Sequence, residues 1–450
     1  MAAASRKPFF QHSLNLAKGI ISSQARRSSL IFHARSASSF SDLETKMLDK
    51  SIEIRNQQSR KTSALAVDKP TLEVRNPFVE DEMELELDRP RDGIPKYVES
   101  LINQSSLSGW LSSPEGLPDP FALVQDDITS LADSIKDLLA VDHPVLATAA
   151  KYFFELDGGK KVRPTMVLLM SRATNLHLYH TSNDFALTDF TLASQRRLAE
   201  ITEMIHTASL FHDDVIDKAD KRRGNPTVNK AFGNKLAILA GDFLLARASV
   251  SLARLRSVEV VELVSTVIEE LVKGEVMQMR PPKLATRGEA LEHYLRKNYY
   301  KTGSLMSNGC QGAALLASDD PFTQAVAFEY GKRVGLAFQL IDDILDFEAD
   351  WKALGKPALA DLRAGLATAP VLIAAAEFPQ LDPLIERKFK HEGDIEQVLH
   401  YLEKSNGIQR TKELAYLQAD LAIESILQLC ESDERDALIN LALKVVKRNH

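Results

Sequence analysis

Two short acidic clusters hold the residues best suited to chemistry in this 450-residue chain. One reads His212-Asp213-Asp214-Val215-Ile216-Asp217, the other Gln339-Leu340-Ile341-Asp342-Asp343-Ile344-Leu345-Asp346. Each has the form D-D-x-x-D inside an apolar segment of helical spacing. At about 3.6 residues per turn, the first and last aspartates of each cluster share one face, one turn apart. Carboxylates crowded onto an apolar helix repel one another and resist burial, so cations are expected against them. Oxygen-only ligands suit a hard ion, and magnesium takes one or two carboxylates and completes its shell with phosphate oxygens and water. A single cluster reads equally well as a solvated acidic face. Two matching ones, each set among Leu, Ile and Phe, point to a paired metal site.

Basic residues supply the other half of a phosphate site. Lys218, Lys221, Arg222 and Arg223 follow the first cluster and end in Arg222-Arg223-Gly224-Asn225-Pro226. Upstream stands Gly158-Gly159-Lys160-Lys161-Val162-Arg163-Pro164. Its glycines let backbone approach a phosphate closely, and Pro164 suits the first turn of a following helix. Arginine offers forked donors to phosphate and lysine a point charge. Lys301-Thr302 and Gly355-Lys356-Pro357 add further cations.

The elements that must position these groups are helical. From about residue 118 onward, long apolar segments recur at helical spacing over 192–218, 234–256, 258–280, 290–317, 321–348 and 366–378, with few strand signals. Without a βαβ alternation, this predicts an all-α protein: a single large helical bundle domain over 113–450. No stretch approaches about eighteen uninterrupted apolar residues, so a membrane-spanning helix is not expected. Cys310 and Cys430 make neither a disulfide framework nor a thiolate metal site. A net charge of −7 without a basic stripe argues against nucleic acid.

The chain before the bundle differs in composition. Met1–Ser41 contains no Asp or Glu but six Lys/Arg and ten Ser, and Phe10, Leu14, Ala17 and Ile21 fall on one helical face. A basic, serine-rich, acid-free amphipathic leader is the composition of an organelle transit peptide over 1–41. Its arginines favour the mitochondrion, with the plastid as alternative. Residues 42–112, with mixed charge runs and Pro70, Pro77, Pro90 and Pro95, read as a low-structure linker or extension.

Taken in order, the motifs G-G-K-x-x-R-P, E-M-I-H-x-x-x-L-x-H-D-D-x-x-D, R-R-G-x-P, G-D-x-L, K-T-x-S-L, Q-x-x-D-D-x-x-D and G-K-P closely resemble the trans-isoprenyl diphosphate synthases over about 120–450. Within them the chain is most similar to the mitochondrial-type polyprenyl synthases that make quinone tails. The resemblance implies the isoprenoid synthase type of bundle. It also implies a prenyltransferase that adds isopentenyl diphosphate to allylic diphosphates, head to tail, to give a long polyprenyl diphosphate for the ubiquinone side chain. It implies that Lys160, Arg163, His206 and Arg223 hold isopentenyl diphosphate. Asp213 and Asp217, with Asp342, Asp343 and Asp346, would bind magnesium, three ions per site, and Asp214 and Lys301 would join the catalytic set. Arg222, Lys301, Thr302, Gln339 and Lys356 would complete the allylic pocket. His212 has no such role and reads as structural. Lys161 stands where the commonest family motif has Arg.

In the family the proton lost after condensation leaves with the released diphosphate, so no protein base is assigned. Short-chain relatives place Phe or Tyr as a floor just before the first cluster. Here Ala208 and Ser209 are small, which implies that the product grows past Ile205 and Ile201. A homodimer is implied, with a heteromer as alternative, and a peripheral membrane contact would serve product release. The competing readings are a shorter-chain farnesyl or geranylgeranyl synthase, a class I terpene cyclase, and a non-catalytic partner subunit of a heteromeric synthase. The last two fit two complete aspartate clusters poorly.

Overall fold

The computed structural model describes residues 116–139, 148–149, 152, 154, 160–182, 191–280, 287–348 and 359–448. The expected leader, the 42–112 extension and Lys356 lie outside these residues.

The described residues form an all-α bundle. Two short N-terminal helices, α1 (Pro120–Leu123) and α2 (Gln125–Leu138), lead to α3 (Val162–Thr181) and α4 (Ala193–Ile216). A two-residue ribbon follows, β1 (Lys221–Arg222) paired antiparallel with β2 (Asn225–Pro226). Next come α5 (Val228–Phe232), α6 (Asn234–Ala253), α7 (Val258–Met279) and α8 (Arg287–Asn298). A π-helical turn over Tyr299–Gly303 runs directly into α9 (Ser304–Leu315), which is followed by the long α10 (Pro321–Glu348). The remainder is α11 (Ala360–Arg363), α12 (Ala369–Glu377), a 3₁₀ turn, α13 (Asp382–Glu386), α14 (Asp394–Lys404), α15 (Gly407–Ile426) and α16 (Asp433–Lys447).

Local chemistry sets the ends of the helices that matter. Gln195, three residues into α4, reaches back to accept from the Leu192 N–H at 2.9 Å. The same buried amide exchanges hydrogen bonds with Asn175 of α3 and donates to the Ala313 carbonyl of α9. One satisfied polar group thus fixes three helices in register. Asp320 accepts from the Thr323 N–H at 2.9 Å just before α10, and Pro321 occupies its first position.

α10 lies between α9 and α15, and α4 packs on α3 and α6. The close approach of α9 and α10 depends on glycine. A Cβ on Gly331 would fall 2.5 Å from the Met306 carbonyl oxygen, and one on Gly335 2.7 Å from the Gly303 Cα. Backbone meets backbone there, with no side chain between.

Cys310 is buried and Cys430 half-buried, both as free thiols. Among the described residues α6 alone is, by length and composition, long and apolar enough to cross a membrane, with mean hydropathy 1.6. Its packed face is spent on α4, while Ile238, Leu239 and Val250 stay exposed.

Candidate active site

The first acidic cluster closes α4 and divides its carboxylates by direction. Asp213 and Asp217 lie on one face, one turn apart, as their spacing requires. Asp214, about 100° around the helix, is only 4 % exposed. Arg222 clamps it with two donors: Nε to Oδ1 at 3.0 Å and to Oδ2 at 3.2 Å, and Nη2 to Oδ1 at 2.8 Å. Asn229 donates to the Asp214 carbonyl. Arg222 and Asp214, expected in the allylic pocket and the catalytic set, fasten to each other here.

That fastening anchors a hairpin. Arg223 and Gly224, the two residues between β1 and β2, both have positive φ, at 51° and 82°. This is the pattern of a tight primed turn, which the right-handed twist of paired strands favours. Glycine accepts it freely. Arginine accepts it at some cost, and in return its guanidinium stands at the exposed tip.

Burial and charge tune the open carboxylates. Burial pushes the Asp213 carboxyl up to about 6; Lys301 pulls it down, and Glu275 and Asp217 push it further up. Burial also raises Asp217, against the pull of Lys301. Lys301 projects from the π-helical turn and is ion-paired with Glu275 of α7. Gly274 makes this approach feasible, because a Cβ there would fall 2.8 Å from the Lys301 Cγ.

The second cluster is likewise divided among roles. Asp342 keeps 43 % of its side chain exposed and faces Arg448 at 2.6 Å. Asp343 is 2 % exposed, and both its oxygens are engaged. Gln339 Nε2 donates to Oδ1 at 3.0 Å, and the Tyr294 hydroxyl donates to Oδ2. Thr302 in turn donates to Gln339 at 3.2 Å, so one chain of hydrogen bonds joins the π-helical turn to α10. Burial raises Asp343 to about 6, and its two donors pull it back. The Asp346 oxygens accept from the Ala360 and Asp361 N–H groups at 3.0 and 3.1 Å and thereby cap α11. Asp343 and Asp346, expected as metal ligands, carry these positioning contacts. Asp213 and Asp217 have room for a cation, and Asp342 would join them once Arg448 gives up its Oδ1; three hard oxygen donors fit magnesium. Among the described residues no three His, Cys, Asp or Glu side chains form a ready-made cage.

The basic pole adjoins them. Arg163, at the start of α3, donates Nη1 to His206 Nε2 at 3.1 Å. Arginine has no acceptor, so this ring nitrogen accepts and the imidazole is neutral. Burial, followed by the nearby Arg163, Arg223, Arg222 and Lys161, holds the His206 pKa well below its ordinary value. Arg163 feels Glu203, Asp342 and Arg223 in turn. Lys161 pairs with Glu203 at 3.2 Å, and Lys160 is exposed. Two turns of α4 thus separate a pole of anion donors from a pole of open carboxylates.

The sequence profile described as Polyprenyl synthetase matches residues 143–402. The chain belongs to the polyprenyl synthetase family. It is 47 % identical to the probable mitochondrial hexaprenyl pyrophosphate synthase of Neurospora crassa over 77 % of this chain and 86 % of that one. To the mitochondrial solanesyl-diphosphate synthase 1 of Oryza sativa subsp. japonica it is 46 % identical, over 75 % and 80 %. A solved polyprenyl synthase from Caulobacter crescentus, complexed with calcium and isoprenyl diphosphate, superimposes with a TM-score of 0.64 at 29 % identity, over 74 % of this chain and 97 % of that one.

In this polyprenyl synthetase the residues before Asp213 split between faces as the three carboxylates of the cluster do. Ser209, four residues back, shares the Asp213 face and is half-buried. Ala208, five back, is turned about 140° away and is 0 % exposed, and Ile205 is equally enclosed. His212, read as structural, packs against Gly241 with Nε2 3.3 Å from the Ile238 carbonyl. Sequence reasoning missed Glu275, Tyr294 and Arg448. The first carried one usable signal, a lone carboxylate beside Gly274 on an otherwise apolar helix face.

Proposed function

We propose that the chain is a long-chain trans-polyprenyl diphosphate synthase, a prenyltransferase that extends allylic diphosphates by repeated 1′–4 condensation with isopentenyl diphosphate. The observation that carries this reading is the two-pole arrangement along α4. The Arg163–His206 pair, with Lys160 and Arg223, offers donors to one diphosphate. Asp213 and Asp217, facing Lys301, serve a second, metal-bridged one.

Asp213, Asp217 and Asp342 would hold magnesium, three ions per site. The calcium in the Caulobacter crescentus polyprenyl synthase supports a divalent requirement. When bound, the metal neutralises charge building on the departing diphosphate. Lys301, held by Glu275, adds a fixed cation aimed at the same leaving group. Breaking the allylic C–O bond leaves a carbocation that water would quench, so the apolar walls of α4 and its neighbours must exclude it. The double bond of isopentenyl diphosphate, moored at the basic pole, attacks that cation. The proton then leaves with the diphosphate released, which requires no protein base.

Small Ser209 leaves the path of the growing hydrocarbon open, which favours a long product. The basic, acid-free leader and the mitochondrial relatives support a mitochondrial location and the ubiquinone side chain as destination. The exposed apolar side chains of α6 and α7, Ile238, Leu239, Val272, Val276 and Met279 among them, favour a homodimer through those helices.

The test is incubation of the purified chain with labelled isopentenyl diphosphate, an allylic primer and magnesium, with products read by mass spectrometry. Products longer than geranylgeranyl diphosphate are expected, none without divalent metal. Products ending at farnesyl or geranylgeranyl diphosphate would refute the long-chain assignment.

A further inference from the structure

Arg448 stands one residue beyond the end of α16, in extended conformation with φ −67° and ψ 141°. Its guanidinium nevertheless reaches the second acidic cluster. Nη2 lies 2.6 Å from Asp342 Oδ1 and donates to the Phe338 carbonyl at 2.5 Å, and the group stacks 3.8 Å over the Phe338 ring. The side chain is only 15 % exposed, and its Nε is buried without a hydrogen-bond partner.

We infer that Arg448 is an internal counter-ion that occupies Asp342 until a metal–diphosphate complex displaces it. The inference rests on the proposed role of Asp342 as a metal ligand. A cation 2.6 Å from Oδ1 excludes a second cation at the same oxygen, so metal alone must evict the guanidinium from its carboxylate. Metal arriving with diphosphate brings an anion, and a freed guanidinium is a forked donor suited to it. The unsatisfied Nε and the attachment through a single extended residue make the arginine easier to dislodge than a fully bonded one. Arg448 is on this reading a positioning residue that ties metal entry at Asp342 to the arrival of diphosphate. A free metal ion would then not occupy the cluster in advance.

The test measures manganese binding to the full chain by calorimetry, first alone and then with inorganic pyrophosphate. Arg448→Gln is expected to bind manganese alone roughly three- to fivefold more tightly than the parent, the range of one half-exposed ion pair. With pyrophosphate the two should converge. Arg448→Lys, which keeps the charge, should behave like the parent. Equal affinity of Arg448→Gln and parent for manganese alone would overturn the inference while leaving the metal site standing. An Asp342→Asn variant that binds manganese and pyrophosphate as the parent does would remove both. Melting curves alongside establish that each variant is folded.

Discussion

Arg222 grips Asp214 with two nitrogens on two oxygens, and in doing so holds the Arg223 turn against the end of α4. A D-D-x-x-D motif is usually read as three equivalent carboxylates. Here the middle one is a structural anion with its own arginine. Asp214→Ala leaves that arginine without its partner at a largely buried site. The expected cost is about 2–4 kcal/mol of stability, together with partial loss of activity as the hairpin loosens. Chemical denaturation measures the first, and isopentenyl diphosphate incorporation the second. An Asp214→Ala variant with parental stability would contradict the fastening.

Asp213→Asn should do the reverse. Turnover should fall by about two orders of magnitude or more, since one removed electrostatic group typically costs that much, while the metal-free fold holds or gains stability. The sign follows from the raised pKa. A carboxyl moved from 3.8 to about 6 on folding is protonated in the folded chain while the unfolded chain is ionised. Its favourable contribution is complete below about pH 4 and is lost as pH rises through 6. Asp343 behaves alike. Relative to the parent, the metal-free Asp213→Asn variant should therefore gain stability from pH 5 to pH 7. A constant difference across that range would contradict the buried, self-repelling carboxylate.

Glu275 is the tether of Lys301 and makes no proposed contact with substrate. Glu275→Gln keeps the shape but gives up the charge, so Lys301 should stand less firmly before the allylic diphosphate. We expect kcat/KM for the allylic substrate to fall about tenfold, the worth of one weakened charge-assisted contact. Affinity for isopentenyl diphosphate, held at the other pole, should not change. Steady-state kinetics with each substrate varied in turn separates the two.

Ser209 and Ala208 are neighbours with opposite prospects. Ser209→Phe sets a ring on the Asp213 face, where a growing chain would pass, and should shorten the product while sparing the first condensation. Ala208→Phe forces the same ring into a fully enclosed position, where overpacking costs about 1–3 kcal/mol. It should lower the melting temperature more than it changes product length. Mass spectrometry of products and thermal melts decide the matter. Equal shortening by both variants would mean that the hydrocarbon path follows a different face of α4.

The helical class and the placement of both acidic clusters on helices were legible in the sequence, because 3.6-residue periodicity is local. The partnerships were not. Nothing near Asp342 announces Arg448, more than a hundred residues on, and nothing beside Asp343 announces Tyr294. The spacing that makes Asp342 and Asp346 look alike cannot reveal that the latter caps α11. The Arg223–Gly224 turn was partly legible, since Gly follows a basic pair, but the sequence reading addressed only the charge of that pair and not the hairpin that carries it. Ala208 and Ser209 look alike in the sequence, two small residues side by side; that the first is enclosed and the second half-buried depends on which helices pack against α4.

The bare contact between Gly303 and Gly335 bears on how a repeating reaction keeps its accuracy. Where backbone meets backbone along this seam, no rotamer change can alter the spacing. Lys301 and Thr302 on one side therefore keep their spacing from Gln339 and Asp343 on the other, whatever occupies the cavity. Each addition inserts five carbons at the diphosphate end, pushes the older hydrocarbon outward, and leaves the isopentenyl unit's diphosphate to take the allylic berth for the next round. The seam acts as a fixed gauge: the reacting carbon meets identical surroundings in the first round and the last, and the count of rounds is left to the other end of the molecule.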